Sequence, residues 1–444
     1  MTTTKSSTAA TAITRRHFLT GAAAALAAPT IVPIGALGGE GRPAPSERIT
    51  MGVVGWGMMG PGNTQSFLAQ KDCQIVAACD LDKNHLQQAV DTVNNHYKNK
   101  DCHAYRDYRQ MMARADIDAV MLAVPDNWHA LTAVEAARNK KDIYGEKPLA
   151  RTIAEQQAIV KAVQRYQRIW QTGSWQRSVE NFHKAAEIVR NGLIGKITRV
   201  EVGLPSGHHD FAGTGKKLSV TPPPPELDYE NWIGPARMEP YIEGRVHMNW
   251  RWNYNIGGGQ LLDWIGHHGD IAHWGLDFDN TGQLTVEGTG EFPPTDAVWN
   301  TCTKYRITCA YPQDITFVLA GGNSDIRGGT KWIGSEGWVW VDRGGFDCSN
   351  ADWEDISRLP EDLRKVKLYH CRNHHRNFLD CVKSRQPTIT PVETAHHSAI
   401  PGHLGLIAML VGRKLTWNAK KETIAGDPEA SRLLKRGYRA PWKL

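Results

Sequence analysis

The sequence has 444 residues, a formal net charge of +6 and 41% hydrophobic residues, which allows two or three domains with sizeable cores. Its Lys and Arg residues form no basic block, which argues against a nucleic-acid-binding protein, since those concentrate basic residues on one face or arm. Its eight Cys residues include no Cys-x-x-Cys pair, so neither a zinc ribbon nor a disulfide framework is indicated.

Residues 1–47 are predicted to be an export signal followed by a polar linker. The pair Arg15-Arg16 precedes an apolar, Ala-rich stretch that runs to about Ile34. Glycine and prolines interrupt this stretch and it is short, so it indicates a twin-arginine signal and not a membrane span. The alternative is a chance Arg pair before an apolar run. We expect export of the folded protein to the periplasm or cell envelope and no membrane span in the mature chain.

The first predicted strand, residues 49–55, runs into a glycine pattern of the form Gly-x-Gly-x-x-Gly. At a strand-to-helix junction this pattern binds a dinucleotide pyrophosphate. The first glycine permits the tight turn, the second admits the ligand, and the third lets the helix pack closely. The cofactor-binding residues predicted from this turn are Gly55, Gly57, Met58, Met59 and Gly60.

The second predicted strand, residues 74–80, ends at Asp80, twenty residues after the last glycine of the pattern. A carboxylate at this place can accept hydrogen bonds from the ribose hydroxyls and repel a 2′-phosphate. No Arg follows immediately, so NAD is favoured over NADP. The alternative is that Asp80 only caps the next helix.

Two further strands are predicted to end in polar residues. Residues 117–124 lead into Pro-Asp-Asn-Trp-His, and residues 142–145 lead into Glu-Lys-Pro. The carboxyl ends of parallel strands face the ligand crevice, so these residues are expected at the cofactor. They add Pro125, His129, Glu146 and Lys147 to the predicted cofactor site.

The glycine pattern, the acid after the second strand, the VPDxxHA segment and the EKP tripeptide, in this order, resemble the Gfo/Idh/MocA oxidoreductase family. The resemblance covers nearly all of the mature chain. It includes similarity to glucose-fructose oxidoreductase and to NAD-dependent α-N-acetylgalactosaminidases. The resemblance implies bound NAD, a sugar or polyol substrate, a homo-oligomer, and a role for Lys147 beside the nicotinamide and the substrate hydroxyl. Asp126 stands where many members have Asn.

The predicted fold class is α/β, with an N-terminal Rossmann domain and a C-terminal α+β domain that has an open, mostly antiparallel sheet. The predicted Rossmann domain spans 48–173, the substrate domain 174–418 and a C-terminal tail 419–444. A long loop, 204–249, is expected to be functional because loops of this length are uncommon in compact domains. The strands predicted for the second domain are 196–203, 284–290, 301–309, 313–320 and 331–341, the last within a hairpin at 328–341.

The segment 250–273 combines Trp, Arg, Asp and His residues around a run of three glycines. On a helix opened by these glycines, Asp263, His267 and Asp270 would share one face. A carboxylate one turn from an imidazole can orient it and raise its basicity. The resemblance places such an Asp-x-x-x-His pair at the substrate hydroxyl. The predicted catalytic residues are therefore Lys147, Asp263 and His267, and the predicted substrate site adds Trp175, Arg251 and Tyr254.

Two other interpretations of this segment compete with catalysis. His and Asp at helical spacing often form only a salt-bridged helix face. A metal site from His267, His268 and His273 is conceivable, but adjacent His side chains point to different faces, so no metal is expected.

Three functions follow as hypotheses. The first is an NAD-dependent oxidoreductase that transfers a hydride between a sugar or polyol hydroxyl and a tightly bound cofactor. The second is a redox-neutral glycoside hydrolase like the α-N-acetylgalactosaminidases, which needs a further base, for which Tyr254 and His247 are candidates. The third is a non-catalytic sugar-binding protein, which the joint presence of Lys147, Asp263 and His267 disfavours.

Overall fold

The structure, a computed structural model, describes residues 43–278 and 284–444. The predicted twin-arginine signal lies outside the described residues. Among the described helices, none is long and apolar enough to cross a membrane.

The first half of the chain alternates strands and helices, as the pattern of buried strands and glycine turns predicts. Its strands are β1 (Ile49–Val54), β2 (Cys73–Cys79), β3 (His103–Tyr105), β4 (Ala119–Leu122), β5 (Asp142–Gly145) and β6 (Trp170–Thr172). Its helices are α1 (Gly60–Leu68), α2 (Lys83–Tyr97), α3 (Tyr108–Met112), α4 (His129–Arg138) and α5 (Ile153–Arg165).

These six strands form one parallel sheet in the order β3-β2-β1-β4-β5-β6. Every residue of β4 and β5 is buried, as expected for a parallel sheet covered by helices on both faces. The strand order reverses between β1 and β4, so the carboxyl ends of these strands open a crevice at the switch point. This topology is the predicted Rossmann fold and places the glycine turn in that crevice.

The second half of the chain supplies a nine-stranded sheet in the order β13-β12-β11-β7-β10-β9-β8-β14-β15. Its pairings are antiparallel except for β7 with β10, which confirms the predicted open, mostly antiparallel sheet. The strands are β7 (Ile197–Leu204), β8 (Leu284–Glu291), β9 (Lys304–Tyr311), β10 (Ile315–Gly321), β11 (Gly329–Gly334), β12 (Trp338–Asp342), β13 (Gly345–Cys348), β14 (Leu415–Asn418) and β15 (Thr423–Ile424).

Helices cover one face of this sheet and enclose the largest hydrophobic core. They are α6 (Glu180–Arg190), α8 (Gly259–Trp264), α9 (Asp270–Leu276), α11 (Val392–Val411) and α12 (Pro428–Arg432). Two other helices lie outside this core: α7 (Tyr229–Ile233) belongs to a smaller hydrophobic cluster, and α10 (His374–Ser384) packs against α1 of the Rossmann domain. Trp252, Trp332 and Trp417 are fully buried, so these three of the sixteen tryptophans are core residues. Burying one such side chain contributes about 1.5–3 kcal/mol.

One predicted strand, 331–341, is wrong as a single element. Residues Ser335 to Gly337 turn the chain, Gly337 with a φ of +157°, and split the segment into the antiparallel pair β11 and β12. The hairpin predicted for the same residues is confirmed. The short strands β3, β13, β14 and β15 were not predicted, because two to four residues carry too little alternation to be recognised. The predicted domain boundaries at 48, 173 and 418 stay predictions.

Candidate active site

The turn after β1 has the backbone geometry that its glycines were predicted to serve. Gly55 has a φ of +91°, which favours glycine. A Cβ on Gly60 would lie 2.2 Å from the carbonyl oxygen of Gly55, so only glycine permits this close packing of α1. A Cβ on Gly57 would meet nothing within 4 Å, which leaves the space above this residue open for a ligand.

Asp80, directly after β2, joins the end of this strand to the glycine turn. Its Oδ2 accepts a hydrogen bond from the backbone N–H of Trp56 at 2.7 Å, and its Oδ1 accepts one from Asp82 at 2.9 Å. Burial raises the pKa of Asp80 although these hydrogen bonds and the nearby His85 oppose the shift. The residue that caps α2 is Asp82, not Asp80, so the alternative that Asp80 only caps this helix is wrong.

A groove with an empty volume of about 1190 Å³, including its open side, runs along the carboxyl ends of the strands. Most of the predicted cofactor residues line it: Gly55, Gly57, Met58, Met59, Asp80, Pro125, Glu146 and Lys147. The wall also contains a buried acceptor without a partner, because Oε2 of Glu146 has no hydrogen bond while Oε1 accepts one from Asn63 at 2.8 Å. The open space at Gly57 and this unpaired acceptor fit a dinucleotide that extends from the glycine turn to Lys147.

His129 does not line this groove. Its Nδ1 lies 2.6 Å from the carbonyl oxygen of Pro148 and its Nε2 lies 2.9 Å from that of Val124. The imidazole therefore joins the segment after β4 to the segment after β5. In this structure it fixes the backbone that carries Lys147.

Lys147, Asp263 and Arg251 form a buried ion cluster at one end of the groove. Nζ of Lys147 donates hydrogen bonds to the backbone oxygen and to Oδ1 of Asp263, both at 3.0 Å. Nε of Arg251 donates to the same Oδ1 at 3.2 Å. Burial alone would raise the pKa of Asp263, but the charges and hydrogen bonds of Lys147 and Arg251 outweigh burial and lower it. One ionised carboxylate thus holds two cations from distant parts of the sequence.

The segment that carries Asp263 and His267 is not one continuous α-helix. A π-helical turn, Ile265–Gly269, separates α8 from α9. The prediction that Asp263, His267 and Asp270 share one helix face is therefore wrong, because a π-turn changes the angular offset of the residues after it. Asp270 instead pairs with Arg177 at 2.7 Å, away from Lys147 and within the protein interior.

His267 lies on this π-turn, directly beside Lys147. A Cβ on the preceding Gly266 would be 3.0 Å from the Cβ of Lys147, so the two segments are in van der Waals contact. Burial, together with the positive charges of Lys147 and Arg343, holds the pKa of His267 well below its usual value. No described group hydrogen-bonds this imidazole, and its Nδ1 is buried without a partner.

The expectation that Asp263 orients His267 and raises its basicity is therefore wrong. The carboxylate of Asp263 is bound to Lys147 and Arg251, and the surroundings of His267 favour the neutral ring. A neutral imidazole can accept a proton. The residues predicted as catalytic come together, but Asp263 acts on Lys147 and not on His267.

The predicted substrate residues are only partly brought together. The ring of Trp175 lies 6.3 Å from that of His267. Tyr254 packs under the guanidinium of Arg151 at 4.2 Å and does not line the groove. His247 lies beside Asp82, with 3.5 Å between its Nε2 and the carboxylate, so neither candidate for the additional hydrolase base is beside His267.

Sequence reasoning missed Trp264 and Arg343. The ring of Trp264 lies 5.4 Å from that of His267, which also contacts the ring of Trp175. The guanidinium of Arg343 lies 4.7 Å from the ring of Trp175 and 4.5 Å from that of Trp264. Arg343 follows β12, far along the chain, and only the sheet topology brings it here, so no local sequence signal could have found it.

The three histidines considered for a metal site have separate partners. His268 lies 3.3 Å from a carboxylate oxygen of Asp342, and His273 lies 3.0 Å from the hydroxyl of Tyr311. His267 lies on the same turn as His268 but contacts Trp175 and Trp264. These three side chains do not converge on one point.

Comparison with known proteins matches both halves of the chain to the same family. The family model described as "Oxidoreductase family, NAD-binding Rossmann fold" matches residues 49–174. The model described as "Oxidoreductase family, C-terminal alpha/beta domain" matches residues 178–444.

Curated relatives match mainly one part of the chain. A myo-inositol 2-dehydrogenase of Thermotoga maritima is 26% identical over 179 residues, which is 40% of this chain and 47% of that protein. A glycosyl hydrolase family 109 protein of Shewanella woodyi is 33% identical over 127 residues, which is 27% of this chain and 26% of that protein. The chain thus spans less than half the length of these two relatives.

Solved structures show the same fold over most of the chain. A scyllo-inositol dehydrogenase from Lactobacillus casei, solved with bound NAD(H) and scyllo-inositol, has a TM-score of 0.56 and 16% sequence identity. The match covers 83% of this chain and 99% of that one. At this identity the likeness establishes the two-domain architecture alone.

Proposed function

The chain belongs to the Gfo/Idh/MocA family of oxidoreductases, and on that premise we propose that it oxidises a hydroxyl group of a sugar or polyol with tightly bound NAD. The observation that carries this proposal is the position of Lys147. Its Nζ reaches from the wall of the dinucleotide groove to Asp263, and its segment packs against the π-turn of His267. The cation at one end of the groove therefore packs against the turn that carries a neutral imidazole.

The residues divide the proton chemistry between them. NAD, when bound, supplies the nicotinamide carbon that accepts or returns the hydride. Nζ of Lys147 donates a hydrogen bond to the reacting oxygen and stabilises negative charge that develops there. The imidazole of His267 is neutral and accepts the hydroxyl proton; its lowered pKa makes it a weak base, so stabilisation of the developing negative charge by Lys147 is required for this transfer. Asp263 holds Lys147 in place and supplies its counter-charge, and Arg251 fixes the same carboxylate oxygen.

Tight retention of the cofactor is supported by segments that border the groove. After β7, the chain returns to the Rossmann domain, where the backbone N–H of Lys83 binds the carbonyl oxygen of Glu226 and Asp228 binds that of Leu81. The C-terminal tail adds Trp442, whose ring lies 4.7 Å from that of Trp128. The loop and the tail both contribute to the groove wall, which favours slow exchange of NAD.

Export by the twin-arginine route is part of the same proposal. The pair Arg15-Arg16 and the apolar stretch that follows support it. A protein that receives NAD in the cytoplasm and works in the periplasm or cell envelope must keep its cofactor and regenerate it within its own reaction. The slow exchange inferred from the groove wall agrees with this requirement. The homo-oligomer expected from the family resemblance stays a prediction.

A redox-neutral glycoside hydrolase is the second candidate, and the likeness to a glycosyl hydrolase family 109 protein favours it. That chemistry requires a base for the neighbouring carbon. The two candidates for this base lie elsewhere, Tyr254 against Arg151 and His247 beside Asp82. We therefore prefer the oxidoreductase.

The two candidates differ in their products. Purified holoenzyme should be incubated in D₂O, without added NAD, with aryl glycosides and with free sugars, and the products analysed by mass spectrometry and NMR. The proposal predicts ketose or lactone products and intact glycosides. Released aglycone, deuterium at the carbon next to the oxidised one and no net change in the cofactor would instead establish the hydrolase.

A further inference from the structure

The end of the groove at Lys147 contains more positive than negative charge. Lys147 and Arg251 share the single carboxylate of Asp263, and both cationic side chains are only 8% exposed. Two cations therefore compete for one anion in a place that water reaches poorly. This arrangement leaves one net positive charge within the ion cluster.

Among the described residues, the nearby carboxyl groups of Asp126 and Glu146 form no ion pair with Lys147 or Arg251. Burial raises the pKa of Asp126, whose Oδ2 accepts a hydrogen bond from the backbone N–H of Gly258. Burial likewise raises the pKa of Glu146, against the opposing effects of Lys147 and Asn63. Both groups thus favour their neutral forms more than an exposed carboxyl group does.

Arg343 adds a further cation whose charge acts on His267. Its guanidinium contacts the rings of Trp175 and Trp264, the same two rings that flank His267. The neighbouring Asp342 is directed to His268 and to the backbone N–H of Arg343. Within the part of the chain that the structure describes, the guanidinium donates one hydrogen bond, a long one of 3.4 Å to Oε1 of Gln176.

The side chain of Arg343 is thus held in place, and no described carboxylate forms an ion pair with it, although Asp342 and Asp263 are close enough for their charges to act on it. Stacking on two indole rings fixes the plane of a guanidinium by cation–π attraction. A fixed, solvent-accessible guanidinium presents paired N–H donors whose spacing matches the two oxygens of a carboxylate. An arginine that only packed on the surface would need neither the second indole nor a position beside His267.

We propose that the substrate is an acidic sugar whose carboxylate binds Arg343 while its reacting hydroxyl lies between Lys147 and His267. This inference rests on the proposed oxidoreductase function and names the substrate class of the same site. The excess positive charge at Lys147, Arg251 and Arg343 attracts the anion. Trp175 and Trp264 carry the guanidinium and contact the sugar ring.

The test measures binding of methyl glycosides to the holoenzyme by isothermal titration. The probes are the glucuronide, galacturonide and mannuronide, each compared with its neutral parent hexoside and with the hexoside 6-sulfate. We expect at least one uronide to bind about tenfold or more tightly than its parent hexoside. Arg343→Met should lower the binding affinity for that uronide about 10- to 100-fold, as expected when a hydrogen bond between charged groups is lost. The affinity for the neutral hexoside should change less than threefold. Arg343→Lys should restore part of the preference for the uronide over the hexoside.

Arg327 provides a matched control. Its guanidinium also stacks on an indole, that of Trp340 at 3.2 Å, but it already has a carboxylate partner in Asp347 at 2.9 Å. Arg327→Met should leave uronide binding unchanged. An equal loss in both variants, no uronide preference in the parent enzyme, or tighter binding of the sulfate than of the carboxylate would overturn the proposal.

Failure of this inference is distinguishable from failure of the oxidoreductase function. Reduction of the bound cofactor is followed by absorbance with the same panel of sugars. Reduction by neutral sugars alone would overturn the acidic-sugar inference and leave the oxidoreductase intact. Reduction by none of the sugars, together with aglycone release, would overturn the oxidoreductase itself.

Discussion

Replacing Asp263 by Asn tests the buried ion cluster because it removes the carboxylate that Lys147 and Arg251 share. Oδ1 of Asp263 lies 3.0 Å from Nζ of Lys147 and 3.2 Å from Nε of Arg251, and the carboxylate side chain is 13% exposed. The amide of Asn can still accept a hydrogen bond but leaves two poorly hydrated cations uncompensated. Removing one partner of a buried ion pair costs about 3–5 kcal/mol. We expect the free energy of unfolding to fall by about that amount.

The assay is urea-induced unfolding of the holoenzyme and of Asp263→Asn, with Lys147→Met and the double variant to complete the cycle. Lys147→Met leaves Asp263 paired with Arg251, so its own loss of stability should be small. The double variant removes one of the two unpaired cations, so it should be more stable than Asp263→Asn alone. All three variants should lose substrate-dependent cofactor reduction.

The exposed pair of Arg306 and Asp325, 2.9 Å apart, is the control. Asp325→Asn should change the free energy of unfolding by less than about 1 kcal/mol, because exposed ion pairs contribute little. If Asp263→Asn were no more destabilising than Asp325→Asn, or if the Lys147 and Asp263 effects were simply additive, the ion cluster would not hold Lys147 as described.

Three further predictions address the cofactor and the effect of acid. Asp80→Asn should lower the affinity for NAD more than the affinity for NADP, because the repulsion of a 2′-phosphate is lost. An unchanged ratio of the two affinities in titrations would show that Asp80 only supports the glycine turn. Trp442→Ala should speed release of bound NAD on dialysis, since its ring lines the groove, and release at the parent rate would exclude the tail from retention. Burial lowers the pKa of His374 and His403 to about 3. Below pH 6.5 these histidines are therefore protonated in the unfolded chain but stay neutral in the folded chain. The free energy of unfolding should then fall by up to about 1.4 kcal/mol per histidine for each pH unit between 6.5 and 3, and a stability that is flat in urea titrations from pH 7 to pH 5 would contradict this.

The sequence was most informative where function depends on local backbone. The glycine turn and the acid after β2 are read from spacing alone, because parallel strands bring their carboxyl ends to one edge. Lys147 follows from the same rule, and the structure places it in the groove. Each of these residues lies at a strand end, which a short stretch of sequence defines.

Sequence reasoning failed where the backbone departs from regular periodicity or where contacts are remote. The π-turn at Ile265–Gly269 changes which residues share a face, and the helical spacing of 3.6 residues cannot reveal it. The partner of Asp263 was misjudged because the two cations that bind it, Lys147 and Arg251, come from other segments of the chain. Arg343 reaches Trp175 only through the order of strands in the second sheet.

Hydride transfer beside Lys147 and His267 is tested most directly by isotope transfer to the cofactor. Holoenzyme is mixed with sugars, including uronides, that carry deuterium at each ring carbon in turn. The cofactor is then extracted and its mass is measured by mass spectrometry. Deuterium from one ring carbon should appear in the NADH released from the parent enzyme. It should be absent from Lys147→Met and His267→Ala variants that still contain bound NAD. Turnover of substrate by the parent enzyme without deuterium in the cofactor would contradict hydride transfer to NAD.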